Sequence, residues 1–264
     1  MELIEALILG IVQGLTEFLP VSSSGHLEIV KYLLNDDSLA EQSMLTTVFL
    51  HFATALATVV VFWKDILNII KSIFSKEGHS ERSFVVFIIV SMIPAALIGV
   101  FFDDIIDSFF HRKIVFVGFM LLVTGFLLLL SERVKTKTKD IGIKEAIIIG
   151  ISQAIAILPG ISRSGATIAT SLILGVDKGK AARFSFLMVI PLILGKMAKD
   201  LLSGDFTQNM PSAPYLVIGF FAAFLTGIAA CTWMIKIVKK SKLSYFAAYC
   251  FLVGISVILF GSFR

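Results

Sequence analysis

Charge is scarce in this chain. Only 16% of its 264 residues are Asp, Glu, Lys or Arg and 57% are hydrophobic, where a soluble domain carries about 25% charged residues. That shortage excludes an ordinary water-soluble domain. Several apolar runs reach roughly the 20 residues that cross a ~30 Å hydrocarbon layer, and the mean hydropathy is +0.93; the chain reads as an integral membrane protein. Cysteine is nearly absent. Cys231 and Cys250 both lie in apolar helices, a placement that suits neither a structural disulfide nor a metal cluster. Excess charge is small too, at +4, and the basic residues fall in short loops, where they set topology and do not build a nucleic-acid surface. The N-terminal Met-Glu-Leu-Ile-Glu is acidic and has no small-residue cleavage site, so it reads as a retained helix and not as a removable signal peptide.

Against that background one stretch stands out, Leu-Pro-Gly-Ile-Ser-Arg-Ser-Gly-Ala-Thr at 158–167. An arginine at membrane depth costs at least ~2.5 kcal/mol, so Arg163 should face a polar cavity and have a partner. Two glycines and two serines around it suit a backbone that bares amide N–H groups ahead of a helix, which is how proteins hold phosphate. A second copy, Pro-Val-Ser-Ser-Ser-Gly-His, lies at 20–26. The two read as halves of one anion site.

The rest of the chain repeats in the same way. An apolar helix at 3–19, a turn and a short helix at 26–34 precede an acidic connection at 35–43 and three spans near 44–63, 84–102 and 114–131. After the basic segment 132–144 the pattern restarts, with a helix at 145–158, the arginine turn, a short helix at 166–176 and spans near 182–201, 214–236 and 243–262. A shift of 140 residues superposes Glu5 on Glu145, Gln13 on Gln153, and Ser22, Ser24 and Gly25 on Ser162, Ser164 and Gly165. The expectation is a single membrane domain, 1–264, built from two repeats, 1–134 and 135–264.

Lysine and arginine crowd loops 64–82, 132–144 and 236–242, whereas 35–43, 103–111 and 202–213 are neutral to acidic. The positive-inside rule puts the first set in the cytoplasm. Segment 145–176 then begins and ends inside, so it should enter the membrane and return; by the repeat, 1–34 should do so from outside. The predicted fold is all-α and polytopic, six transmembrane helices plus two opposed re-entrant helical hairpins in an inverted-topology repeat. Such folds bring half-helix N-termini together near the midplane.

Gln13 and Glu17 stand i,i+4 on one helix face, directed at the serine turn. A Glu17–Arg163 ion pair locking the hairpins is the plainest structural reading, and it would still sit where the hydroxyls converge. Ser22, Ser23 and Ser24 exceed what helix capping needs. His26 follows them and shares the site with an acid and an arginine. Ser162, Ser164, Gly165 and Thr167 complete the phosphate cradle around Arg163, whose guanidinium can bind phosphoryl oxygens bidentately. His51 reads as a polar packing or interfacial residue, and the Asp103, Asp104, Asp107 cluster as an exposed loop.

The runs Gln-Gly-Leu-Thr-Glu-Phe-Leu-Pro-Val-Ser-Ser-Ser-Gly-His (13–26) and Leu-Pro-Gly-Ile-Ser-Arg-Ser-Gly-Ala-Thr (158–167) resemble those of the undecaprenyl-diphosphate phosphatase family, also called bacitracin resistance proteins. The resemblance covers the whole chain. It implies an enzyme of the bacterial inner membrane that removes the terminal phosphate of undecaprenyl diphosphate and returns the carrier lipid to peptidoglycan synthesis, conferring bacitracin resistance. It also implies a divalent cation, Mg²⁺ or Ca²⁺, at Gln13 and Glu17. Many members carry a glutamate where this chain has Gln13, so Glu17 alone supplies negative charge.

Catalysis is expected from Glu17, Ser23, His26 and Arg163. Substrate binding is expected from Ser22, Ser24, Gly25, Ser162, Ser164, Gly165 and Thr167. The nucleophile is open between Ser23, His26 and a water activated by Glu17. The expected partners are a polyprenyl diphosphate and the bilayer, with no nucleic acid, and the oligomeric state is open between a single chain and a homodimer. The rival reading is a lipid-phosphate flippase or anion transporter of inverted-repeat type, which would need no nucleophile.

Overall fold

The computed structural model describes residues 3–34, 40–75, 78–102, 105–106, 108–110, 113–134, 138–203, 211–240 and 243–262, with backbone alone at 40–44, 199–203 and 239–240. Asp103, Asp104 and Asp107, Lys76, Lys135, Lys137, and most of loops 35–43 and 202–213 lie outside the described residues.

The chain is an all-α polytopic membrane protein. Its helices are α1 (Leu3–Phe18), α2 (Ser23–Leu33), α3 (Ala40–Val61), α4 (Trp63–Phe74), α5 (His79–Phe101), α6 (Ile114–Arg133), α7 (Ile143–Ile155), α8 (Arg163–Ile173), α9 (Lys178–Ser203), α10 (Ala213–Lys240) and α11 (Ser244–Ser262). Five of these, α5, α6, α9, α10 and α11, are long and apolar enough to cross a membrane, and α3 joined to α4 makes a sixth although the two are bent by 74°. The spans expected from the sequence are all present as helices. The unforeseen element is α4, which occupies part of the basic loop 64–82.

Helices α1, α2, α7 and α8 are short. At 1.5 Å per residue they measure about 24, 17, 20 and 17 Å, less than the ~30 Å hydrocarbon layer. Each pair folds as a hairpin. At the mouth of the second, Lys139 N–H donates to the Gly175 carbonyl and Asp177 N–H to the Lys139 carbonyl, both at 3.2 Å. The strands of chain entering α7 and leaving α8 therefore lie side by side.

Packing of the hairpins is reciprocal: α1 lies along α10, and α7 along α5. Small residues make the close approach, as they do between helices in lipid, where tight van der Waals packing must replace the hydrophobic drive. A Cβ on Gly14 would stand 2.5 Å from the Ala223 carbonyl oxygen, and one on Gly150 2.5 Å from that of Ser91. Around the hairpin tips the core is aromatic and aliphatic, with Phe18, Phe184, Phe186, Leu121 and Ile168 buried. Phe18 meets Phe186 edge to face at 5.9 Å. Cys231 and Cys250 are buried and unpaired in a disulfide.

Candidate active site

The two serine turns make the same capping hydrogen bonds on different backbones, Ser22 at φ 71° and Ser162 at φ −74°. Ser22 caps α2 and Ser162 caps α8; their hydroxyls accept from the N–H of Gly25 at 3.2 Å and of Gly165 at 3.0 Å. Each cap oxygen lies 3.3 Å from the hydroxyl two residues on, Ser24 or Ser164. Both helices begin three residues earlier than the sequence reading placed them, because the serine cap makes Ser-Ser-Gly and Arg-Ser-Gly the first helical turn. The first-turn amides have no intrahelical acceptor. Two positive helix ends therefore converge on one place.

The hairpins touch at these turns. Gly160 N–H donates to Ser22 Oγ at 3.2 Å, and Ser164 Oγ donates to the Leu19 carbonyl at 3.1 Å. A Cβ on Gly25 would stand 2.9 Å from Gly160 Cα, so only glycine allows the approach. Gly160 itself has φ +99°, the left-handed region, and a Cβ there would meet the Val117 carbonyl oxygen at 2.5 Å. Thr124 of α6 steadies the turn, donating to the Gly160 carbonyl and accepting from Ser162 N–H, each at 3.0 Å.

At the junction sits one buried carboxylate. Arg163 Nη2 donates to Glu17 Oε1 at 2.5 Å, while Glu17 Oε2 accepts from Ser23 Oγ at 2.6 Å and from Gln13 Nε2 at 3.0 Å. Glu17 is 5% exposed; a charge so enclosed persists only with this many partners. The expected ion pair between the hairpins is formed, and the serine hydroxyl is part of it. Arg163 Nη1 donates to the Ser185 carbonyl of α9 at 3.3 Å.

Other expected site residues are placed differently. His26 Nδ1 lies 2.8 Å from the Ser22 carbonyl and Nε2 2.8 Å from the Tyr249 hydroxyl, with the two rings stacked. Both ring nitrogens are thus engaged away from Glu17 and Arg163. Thr167 is fully buried, its hydroxyl donating to the Arg163 carbonyl at 2.9 Å and meeting Ser185 Oγ at 2.7 Å. It holds the arginine turn.

His51, read from the sequence as a polar packing or interfacial residue, belongs to the site. Its Nδ1 meets the Thr47 carbonyl at 2.7 Å and its Nε2 lies 3.5 Å from Glu17 Oε2. Thr54, one turn on, lies 3.4 Å from Gln13 Nε2. The only sequence signal was their i,i+3 spacing on α3, which many apolar helices share. Among the described residues no three His, Cys, Asp or Glu side chains group as a metal site.

Residues 6–256 match the family described as bacitracin resistance protein BacA. The chain belongs to this family. BacA-family relatives align along nearly the whole chain. The undecaprenyl-diphosphatase of Christiangramia forsetii is 56% identical over 260 residues, 98% of each protein. The protein of that name from Bacteroides fragilis is 48% identical over 263 residues, again 98% of each. The one from Halothermothrix orenii is 42% identical over 265 residues and 98% of each.

Proposed function

We propose that this chain is a membrane phosphatase that hydrolyses undecaprenyl diphosphate to undecaprenyl phosphate and inorganic phosphate in the bacterial inner membrane, where it recycles the carrier lipid for peptidoglycan synthesis and confers bacitracin resistance. The observation that carries the reading is the buried Ser23–Glu17–Arg163 contact at the meeting of two helix N-termini. The names of the full-length relatives point to the same reaction.

In this reading the diphosphate binds to Arg163 and to the hydroxyls of Ser22, Ser24, Ser162 and Ser164, while Gly25 and Gly165 serve it indirectly, their amides holding the Ser22 and Ser162 hydroxyls in place. These donors also stabilise the charge that develops during transfer. Ser23 attacks the terminal phosphorus, with Glu17 Oε2 taking its proton. The phosphoanhydride bond breaks and the lipid monophosphate leaves. Water then attacks the phosphoserine, inorganic phosphate departs, and the proton held by Glu17 returns to Ser23. His26 fixes the turn that presents Ser22 and Ser23.

A divalent cation, Mg²⁺ or Ca²⁺, fits this donor set only together with the substrate. Gln13 Oε1 is buried without a partner beside the single carboxylate of Glu17, and Mg²⁺ is commonly held by one or two carboxylates plus phosphate oxygens. Gln13 and Glu17 would hold the ion, and it would supply Lewis-acid neutralisation of the diphosphate.

The hairpins are re-entrant in this reading, and the two repeats, 1–134 and 135–264, have opposite orientation. Their short helices, the paired ends of the second hairpin and the reciprocal packing of α1 on α10 and α7 on α5 support it. Inverted repeats are common in transporters, but a carrier has no use for a serine hydrogen-bonded to a buried carboxylate. The deciding experiment is phosphate release from farnesyl diphosphate by the purified chain in detergent, with and without EDTA. Release by wild type and none by Glu17→Ala supports the phosphatase; no release by wild type sinks it.

A further inference from the structure

Helix α4 has no part in the phosphatase site, and its pattern is complete in itself. Projected at 100° per residue, its five polar side chains fall in an arc of about 120° and its seven apolar ones in another of about 160°. At 12 residues it is about 18 Å long, too short to cross the bilayer, and it turns by 74° from α3. None of its residues is fully buried; Trp63 at its start is 54% exposed and Phe74 at its end 86%. A segregated helix with aromatic ends that leaves a span at a steep angle is built to lie in the membrane interface.

Its charges are sorted as well. Asp65 and Glu81 of α5 both pair with Arg183 of α9, at 3.0 and 3.1 Å, so the acidic residue of α4 is neutralised by the protein. Lys64 and Lys71 are two turns apart on one line, both exposed, and among the described residues neither forms an ion pair. On the inner side Ile66, Ile69 and Ile70 face Ile88, Ile89 and Leu187 across an apolar groove of about 560 Å³. The lysines and the groove lie on opposite faces of α4, so a helix lying flat presents cations at its outer face and an aliphatic slot beneath it, a pairing that suits an anionic headgroup attached to an acyl chain.

We propose that α4 lies flat in the interface and holds an anionic phospholipid, its headgroup on Lys64 and Lys71 and a chain in the groove. The test uses the full chain carrying Trp233→Phe, which leaves Trp63 as the sole tryptophan, in nanodiscs of phosphatidylcholine doped with chain-brominated lipid. Bromines placed just below the glycerol level quench Trp63 more than bromines near the chain ends. Brominated phosphatidylglycerol quenches at lower mole fraction than brominated phosphatidylcholine, with an association constant about fivefold higher per lysine. Lys64→Gln with Lys71→Gln removes the phosphatidylglycerol preference, and so does raised salt, while quenching by brominated phosphatidylcholine persists and shows that the helix is still seated. Trp63 unquenched by either lipid, quenched equally by both, or retaining the preference in the double variant overturns the proposal.

Discussion

Glu17 and Arg163 are each other's condition for being buried. Removing one partner of a buried pair leaves an uncompensated charge and costs about 3–5 kcal/mol, whereas removing both is far milder. Arg163→Ala is therefore expected to lower the thermal midpoint in detergent and to cut phosphate release by about 10³-fold. Adding Glu17→Gln should restore most of the midpoint and none of the activity. A single Arg163→Ala variant that turns over normally would remove the guanidinium from the reaction. Ser23, 2.6 Å from the carboxylate, is expected to carry the label after acid quench of a reaction with terminally ³²P-labelled diphosphate; label on histidine, or none in a burst, would reassign the nucleophile. His51→Gln keeps a donor toward Glu17 but not the ring, and is expected to lower kcat about tenfold with KM unchanged, since it touches Glu17 and not the diphosphate. What could be read at this scale was whatever a rare residue in an apolar chain makes expensive: Glu17, Arg163 and the serines around them. His51, Ser185 and Tyr249 were not readable. A single polar residue in a span is equally compatible with packing, and only the fold brings α3, α9 and α11 to the tips of the hairpins.

Among the elements, the hairpins show why boundaries were harder to read than existence. Serine and glycine count against a helix interior, so the sequence placed the starts of α2 and α8 after the motifs, at 26 and 166. The caps reverse that weighting: Ser22 and Ser162 take the Gly25 and Gly165 amides and draw the motifs into the first turn. Helix α4 escaped for a different reason. It is too short and too charged on one face to register as a span, and amphipathic periodicity inside a basic loop is easily passed over. At Gly160 the hairpin backbone is both left-handed, with φ +99°, and closed against the Val117 carbonyl where a Cβ would go. Gly160→Ala must both strain the turn and push it off α6. It should cost a few kcal/mol of stability and break the Gly160–Ser22 hydrogen bond, so phosphate release and thermal midpoint should fall together. Gly99→Ala, where nothing lies within 4 Å of the new Cβ, is the matched substitution that should leave both in place.

For the molecule as a whole, the question is how two helical hairpins come to share one site. Charge asymmetry supplied the orientation and the second hairpin, and the 140-residue repeat supplied the first hairpin from the second; neither required knowledge of the packing. The structure adds that the chain ends of the second hairpin are hydrogen-bonded to each other at Lys139, Gly175 and Asp177, so both ends lie at one face of the molecule, as a returning loop requires. Topology should therefore be measurable with single cysteines in a chain freed of Cys231 and Cys250. Asp140→Cys and Lys180→Cys, both exposed and flanking that hairpin, are expected to react with a membrane-impermeant maleimide only in inside-out vesicles. Ala213→Cys, exposed at the start of α10, should react only from the opposite face. If the cysteines at 140 and 180 labelled from different sides, the segment between them would have crossed the bilayer an odd number of times and could not be a returning hairpin. The anion site would then have no reason to lie where the two serine turns meet.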